Sequence, residues 1–207
     1  GAWEKTRKNR WRVQTKGASR VEVTYRVYGR EMTVRHNFID SSMALLNGAA
    51  TFITLADGLK RPHEVKLELP AAWKGAWTGL EQTGDGQYRA ADFDVLVDSP
   101  ILAGSAAAHE FEAAGKKHYL VNEGEAGFWD GKASTEALKK IVEAYQSMMG
   151  VVPYDKYVFF NLLVDQGGGI EHQNSTVLMS SRYAWGNTAE AAEGAPRRPS
   201  RVSWLEL

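Results

Sequence analysis

A nearly unbroken apolar run over residues 157–164 constrains the fold of this chain more than any other feature. Such a run is typical of a strand that is buried on both faces of a sheet. In the preceding segment Leu138, Val142 and Tyr145 recur at helical spacing. The hydroxyl and carboxylate side chains of residues 134–136 suit a helix start, and Gly150 suits a helix end. The sequence therefore predicts a helix followed by a buried strand, as at the start of an α/β domain.

The earlier part of the chain has the pattern of antiparallel β-structure. Residues 21–27 alternate apolar and polar side chains, which indicates a half-buried strand. Further strands are predicted over 32–38, 50–55, 65–69 and 93–97, and a hairpin over 109–112 and 118–121. Short strands without long helices favour a sandwich or a saddle-shaped sheet. The predicted fold class is α+β, with a β-rich domain over residues 1–127 and the beginning of an α/β catalytic domain over 128–207.

Charge and composition limit the partners. The 207 residues carry 25 Lys and Arg against 25 Asp and Glu, so no global field favours nucleic acid or an anionic membrane. Because the chain has no cysteine, it has no disulfide scaffold and no thiolate chemistry. No apolar run approaches the length of a membrane span. We therefore expect no nucleic-acid partner and no membrane span.

Three consecutive glycines, residues 167–169, form the most distinctive local motif. Without side chains, this backbone allows another backbone or a ligand to approach closely. Glu171 and His172 follow at once, before a strand predicted over 175–180. Bare backbone beside one carboxylate is what a site needs to hold a peptide by its main chain and its free amine. The alternative is a glycine-rich turn that leads into an ordinary strand.

This motif resembles a segment of a known enzyme family. Gly168-Gly169-Ile170-Glu171-His172, continued by Asn174-Ser175-Thr176 and Ser180-Ser181-Arg182, is similar to the G-G-x-E-H-x-x-S-T segment of the glycyl aminopeptidases. Those are zinc metallopeptidases distantly related to the aminopeptidase N family. Five further segments resemble that family in the same order, at residues 25–28, 45–49, 98–100, 109–111 and 153–155.

The resemblance implies a substrate-binding role for the motif. Gly168, Gly169 and Ile170 would offer backbone groups to an extended peptide as an added strand. Glu171 would accept hydrogen bonds from the free amine of the substrate. His172 would either orient Glu171 or bond a neighbouring loop. The implied reaction is the zinc-dependent release of a small first residue, glycine or alanine, from a peptide substrate.

The zinc-binding H-E-x-x-H motif of that family is absent from this sequence. His109-Glu110 begins similarly, but Ala113 stands where the second histidine is required. We therefore expect no catalytic or metal-ligating residue within this chain, no bound zinc and no peptidase activity by it alone. We interpret the chain as an internal piece of a larger enzyme, whose remaining catalytic domain is its partner and whose zinc helix would start near residues 202–207.

A second hypothesis belongs to a different class. The chain would then be a stand-alone β-rich module that grips a glycan or a peptide between Trp73, Trp77 and Trp129. For the pair Trp73 and Trp77, the alternative is ordinary packing over the open end of a sandwich.

Overall fold

The computed structural model describes residues 2–127 and 129–184, so the helix start predicted at 202–207 lies outside the described residues. Within them the chain is α+β, with mostly antiparallel strands in four sheets and three helices. The predicted fold class is confirmed. None of these helices has the length and apolar character needed to cross a membrane.

The first half of the chain consists of short strands and two short helices. In chain order the elements are β1 (Trp3–Arg7), β2 (Arg10–Val13), β3 (Phe38–Ile39), β4 (Met43–Leu46), α1 (Gly48–Thr51), β5 (His63–Lys66), β6 (Gly75–Thr78), β7 (Glu81–Gly84), β8 (Gln87–Ala90), α2 (Phe93–Val97) and β9 (Ile101–Gly104). β1 and β2 form an exposed hairpin, β3-β4-β9-β6 form an antiparallel sheet, and β5-β8-β7 form a three-stranded sheet.

The second half forms one mixed sheet and one long helix. Its elements are β10 (Ala107–Ala113), β11 (Lys116–Glu123), α3 (Gly131–Met149), β12 (Lys156–Leu163), β13 (Gly168–His172) and β14 (Ser175–Ser180). The strand order is β10-β11-β12-β14-β13. β11, β12 and β14 run parallel, while β10 and β13 are antiparallel edge strands. The domain division was predicted between residues 127 and 128, but this sheet contains strands from both sides of that division.

The five-stranded sheet is covered on two faces by different parts of the chain. On one face Phe160 and Val177 pack against Leu45 and Leu102 of the four-stranded sheet. On the other face α3 packs its apolar side, through Leu138 and Val142, against side chains of β11, β12 and β14. The β12 residues are almost completely buried, as the apolar run predicted.

Several predicted strands in the first half are wrong. Residues 21–27 form no strand and are largely exposed, although their side chains alternate. Alternating apolar and polar side chains produce a half-buried strand only where a neighbouring strand supplies the hydrogen bonds. No described strand pairs with this segment. Residues 32–38 contribute only Phe38 to a strand, 50–55 overlap helix α1, and 93–97 form helix α2.

Candidate substrate-binding site

Two of the three glycines lie in an edge strand, and Gly167 directly precedes it. Gly168 and Gly169 are exposed residues of β13, which pairs antiparallel with β14 on one side only among the described residues. The turn that joins these strands is formed instead by Gln173 and Asn174. An unpaired strand edge presents a row of backbone N–H and C=O groups to any extended chain. The outer edge of β13 is therefore competent to add a peptide strand.

Glu171 lies on the face of the sheet that carries α3. Ile170 packs against the core beneath the four-stranded sheet, and side chains alternate along a strand, so Glu171 points the opposite way. Its carboxylate is exposed. A Cβ at Gly169 would lie 3.8 Å from Glu171 Oε1 and 3.2 Å from Leu178 Cδ2. A side chain at position 169 would therefore be crowded by Leu178 and would lie beside the carboxylate, and glycine avoids both contacts.

His172 contacts a different carboxylate, on the other face. Its side chain is only 7% exposed, and Nδ1 lies 2.9 Å from Oδ1 of Asp98, the residue that ends α2. Since a carboxylate accepts hydrogen bonds, Nδ1–H of His172 is the donor in this contact. Nε2 is buried without a hydrogen-bond partner among the described residues. Of the two roles left open for His172, the contact with a neighbouring segment is the one that the structure contains.

Asp98 and Gly79 together hold the turn after β13. The second oxygen of Asp98 accepts the backbone N–H of Gln173 at 2.8 Å. Asn174 donates its side-chain amide to the carbonyl oxygen of Gly79 at 2.9 Å. Both partners belong to the first half of the chain. The position of the edge strand is therefore fixed by contacts with the β-rich region as well as by its own sheet.

Tyr157 adds a neutral hydroxyl near the carboxylates of the site. Burial is the main cause that raises the pKa of its phenol, and the negative charges of Glu171 and Asp98, together with Tyr154, raise it further. Tyr157 therefore keeps its proton across the physiological pH range. The sequence placed Tyr157 in a buried strand, but its proximity to Glu171 depends on the strand order.

Among the described residues, His109 and His118 each have partners other than metal ligands. His109 and Glu110 point to opposite faces of β10, where His109 pairs with Glu125 at 2.8 Å and Glu110 pairs with Lys117 at 3.0 Å. His118 is completely buried, and its ring lies 3.0 Å from the Tyr154 hydroxyl. Across residues 2–127 and 129–184, no cluster of three or more His, Cys, Asp or Glu side chains could hold a metal ion.

The tryptophans proposed to grip a glycan do not form an exposed platform. Trp129 is 5% exposed, and Trp77 is half-buried against the core between the two sheets. Trp73 is half-buried and donates its indole N–H to the Ser41 carbonyl oxygen at 3.1 Å. The packing alternative given for Trp73 and Trp77 agrees with these contacts, because Trp77 packs against the core and Trp73 bonds a neighbouring loop.

Comparison with known proteins agrees with this architecture. No curated protein sequence matches the chain. The crystal structure of an aminopeptidase N family protein from Idiomarina loihiensis is 27% identical, with a TM-score of 0.72, and the match covers 86% of this chain and 31% of that chain. A mutant of a two-domain M1 zinc metallopeptidase bound to L-arginine is 13% identical, with a TM-score of 0.48, covering 74% of this chain and 40% of that one.

The chain thus spans less than half of either solved protein. Residues 1–105, half of the 207-residue sequence, match the family model described as the Peptidase M61 N-terminal domain. The chain therefore belongs to the Peptidase M61 N-terminal domain family.

Proposed function

We propose that this chain supplies the substrate-recognition part of a zinc-dependent aminopeptidase of the glycyl aminopeptidase type. The reaction would release glycine or alanine from the amino end of a peptide. One observation carries the proposal: the exposed carboxylate of Glu171 stands on an edge strand whose outer side is unpaired among the described residues and whose first two residues are glycines. The 27% identity to an aminopeptidase N family protein supports the same class of enzyme.

The proposed binding mode follows from strand geometry. An extended peptide adds to the outer edge of β13 and exchanges backbone hydrogen bonds with Gly168, Gly169 and Ile170. Its terminal ammonium donates to Glu171, which is a charge-assisted contact and stronger than a neutral hydrogen bond. A blocked amino end loses this contact. His172 is committed to Asp98, so we assign it to holding the strand and not to binding the amine.

The catalytic metal requires ligands that the described residues do not provide. In a zinc peptidase the metal polarises the scissile carbonyl and activates a water molecule. In this proposal the described residues bind and orient the peptide and take no part in the zinc chemistry. We accordingly expect that the isolated polypeptide with added zinc will not hydrolyse glycyl or alanyl anilides. Turnover that persists through repurification would contradict this expectation.

The boundary between the two structural units is also a proposal. The family match ends at residue 105, and the five-stranded sheet begins at Ala107. We propose that the β-rich unit ends between β9 and β10, earlier than the predicted division at 127 and 128. The hairpin β10–β11 then belongs to the same unit as α3 and β13.

Amine recognition can be measured on this polypeptide without metal. Titration with glycinamide should shift the backbone amide resonances of β13, with an affinity in the millimolar range expected for so small a ligand. Glu171→Gln should weaken binding about tenfold, because it replaces a charge-assisted contact with a neutral one. Two-dimensional amide NMR spectra give both the affinity and the location.

Two controls make the result specific. Glu143→Gln changes an exposed carboxylate on α3 and should leave the affinity unchanged. N-acetylglycinamide lacks the ammonium and should bind more weakly than glycinamide. Equal binding of the blocked and free compounds, or shifts remote from β13, would contradict the role of Glu171.

A further inference from the structure

A cavity of about 250 Å³ lies between the four-stranded, the three-stranded and the five-stranded sheets. Its walls include the aromatic side chains of Trp77 in β6, Tyr88 in β8 and Tyr119 in β11, together with the polar side chains of Thr78 and Gln82. Lys156, the first residue of β12, also lines it. Lys156 and Val158 are two residues apart in β12, so their side chains point to the same face of the five-stranded sheet. Val158 is buried in the core under the four-stranded sheet, and the cavity therefore lies on that side. It is therefore on the opposite side of the five-stranded sheet from Glu171 and separate from the proposed amine site.

Lys156 is a half-buried cation with spare hydrogen-bonding capacity. Its ammonium donates to the carbonyl oxygen of Leu80 at 2.6 Å, and burial lowers its pKa. No ion pair within residues 2–127 and 129–184 includes it. The adjacent Asp155 is paired with Lys116 at 2.7 Å. An ammonium has three N–H donors, and two of them have no partner among the described residues.

The surroundings of this ammonium favour an anion with an apolar body. A charge withdrawn from water without an opposite charge is costly, and an incoming carboxylate would offset that cost. The walls carry aromatic rings that can bury a hydrocarbon group. The volume exceeds the roughly 150 Å³ of a cavity that accepts benzene and lies below the roughly 300 Å³ at which pockets for drug-sized ligands begin.

We propose that this cavity is a binding site for a small apolar monocarboxylate, whose carboxylate pairs with the Lys156 ammonium and whose hydrocarbon body lies against Trp77 and Tyr119. A zwitterionic amino acid matches this site less well, because no Asp or Glu lines the cavity to pair with its ammonium. The site is independent of the proposed aminopeptidase function. It would persist if Glu171 had no role in binding amines.

Benzoate is a suitable probe, since its size and charge match the cavity. Titrated into the 207-residue chain, benzoate should bind saturably in the millimolar range and shift the Trp77 indole and Val158 amide resonances. Benzyl alcohol, which is similar in size but neutral, should bind at least about tenfold more weakly. Glycine should cause no shift at these positions.

Variants of Lys156 complete the test. Lys156→Met should weaken benzoate binding at least about tenfold, and Lys156→Arg should retain it. Lys66→Met, at an exposed lysine of β5, is the matched control and should have no effect.

Replacement of a half-buried ammonium by methionine is compatible with folding, which thermal unfolding of the variant checks. If Lys156→Met does not fold, the comparison of benzoate with benzyl alcohol on the unmodified chain decides. Equal affinity for both probes, shifts away from Trp77, or undiminished binding by folded Lys156→Met would overturn the proposal.

Discussion

Phe160→Ala should lower the free energy of unfolding by about 3 to 5 kcal/mol. Phe160 is completely buried in the middle of β12, between Val121 of β11 and Val177 of β14. Its ring also belongs to the cluster that joins the five-stranded sheet to the four-stranded sheet. Truncation removes the transfer free energy of the ring and leaves a cavity that this close-packed interface fills only in part. Urea unfolding followed by circular dichroism measures the loss.

Leu59→Ala is the matched control, because Leu59 is an apolar side chain that is 69% exposed. Its replacement should change the free energy of unfolding by less than about 0.5 kcal/mol. A protein with a stability of about 5 to 15 kcal/mol would lose a large part of it in the Phe160 variant. A loss below about 1 kcal/mol would mean that β12 is not the central strand of a shared core.

Asp98→Ala should destabilise the protein by about 2 to 3 kcal/mol and loosen the proposed binding strand. The substitution removes the acceptor for His172 Nδ1 at 2.9 Å and for the Gln173 N–H at 2.8 Å. The imidazole is only 7% exposed, so water replaces the lost partner poorly. We expect faster hydrogen exchange at Gln173 and along β13, together with weaker binding of glycinamide. Native-state hydrogen exchange and the NMR titration measure the two effects.

Two variants separate this positioning role from a general effect of charge. Asp94→Ala removes an exposed carboxylate from the same helix, α2, and should change neither the exchange of β13 nor the affinity. Asp98→Asn keeps an acceptor oxygen and should restore part of the protection. If Asp98→Ala accelerates exchange throughout the molecule and not at the turn after β13, Asp98 stabilises the fold without positioning this strand.

The local sequence was sufficient to predict elements whose hydrogen bonds or burial pattern depend on residues close by in the chain. The buried strand β12, the hairpin β10–β11 and the end of α3 were predicted close to their observed positions. Gly150 adopts φ of 74°, the left-handed conformation that glycine tolerates. The start of α3 was placed too late. Asp130 caps the helix through the Ala133 N–H, whereas Ser134 lies inside the first turn and donates to the Asp130 carbonyl oxygen.

The segment Phe93–Val97 illustrates why other predictions failed. Its five residues carry too little periodicity to distinguish a strand from a helix. The side chain of Asp92 accepts the Val95 N–H at 3.0 Å, a hydrogen bond typical of a helix start. The helix also brings Leu96 into a core cluster with Ile101 of β9 and with Tyr88 and Ala90 of the three-stranded sheet. The sequence analysis did not identify Asp92 as a cap, and the packing that holds the helix comes from residues distant in the sequence.

By itself, the sequence determined which residues share the candidate binding strand, because Gly168 to His172 are consecutive and any backbone keeps them adjacent. It also determined that the strand before them is buried. Only the tertiary structure decided that the glycines form a sheet edge, that Glu171 and His172 face opposite ways, and that Asp98 holds the strand. His172 and Asp98 are 74 positions apart, and their meeting depends on strand order and on packing between sheets. Those are long-range contacts, which local periodicity does not encode.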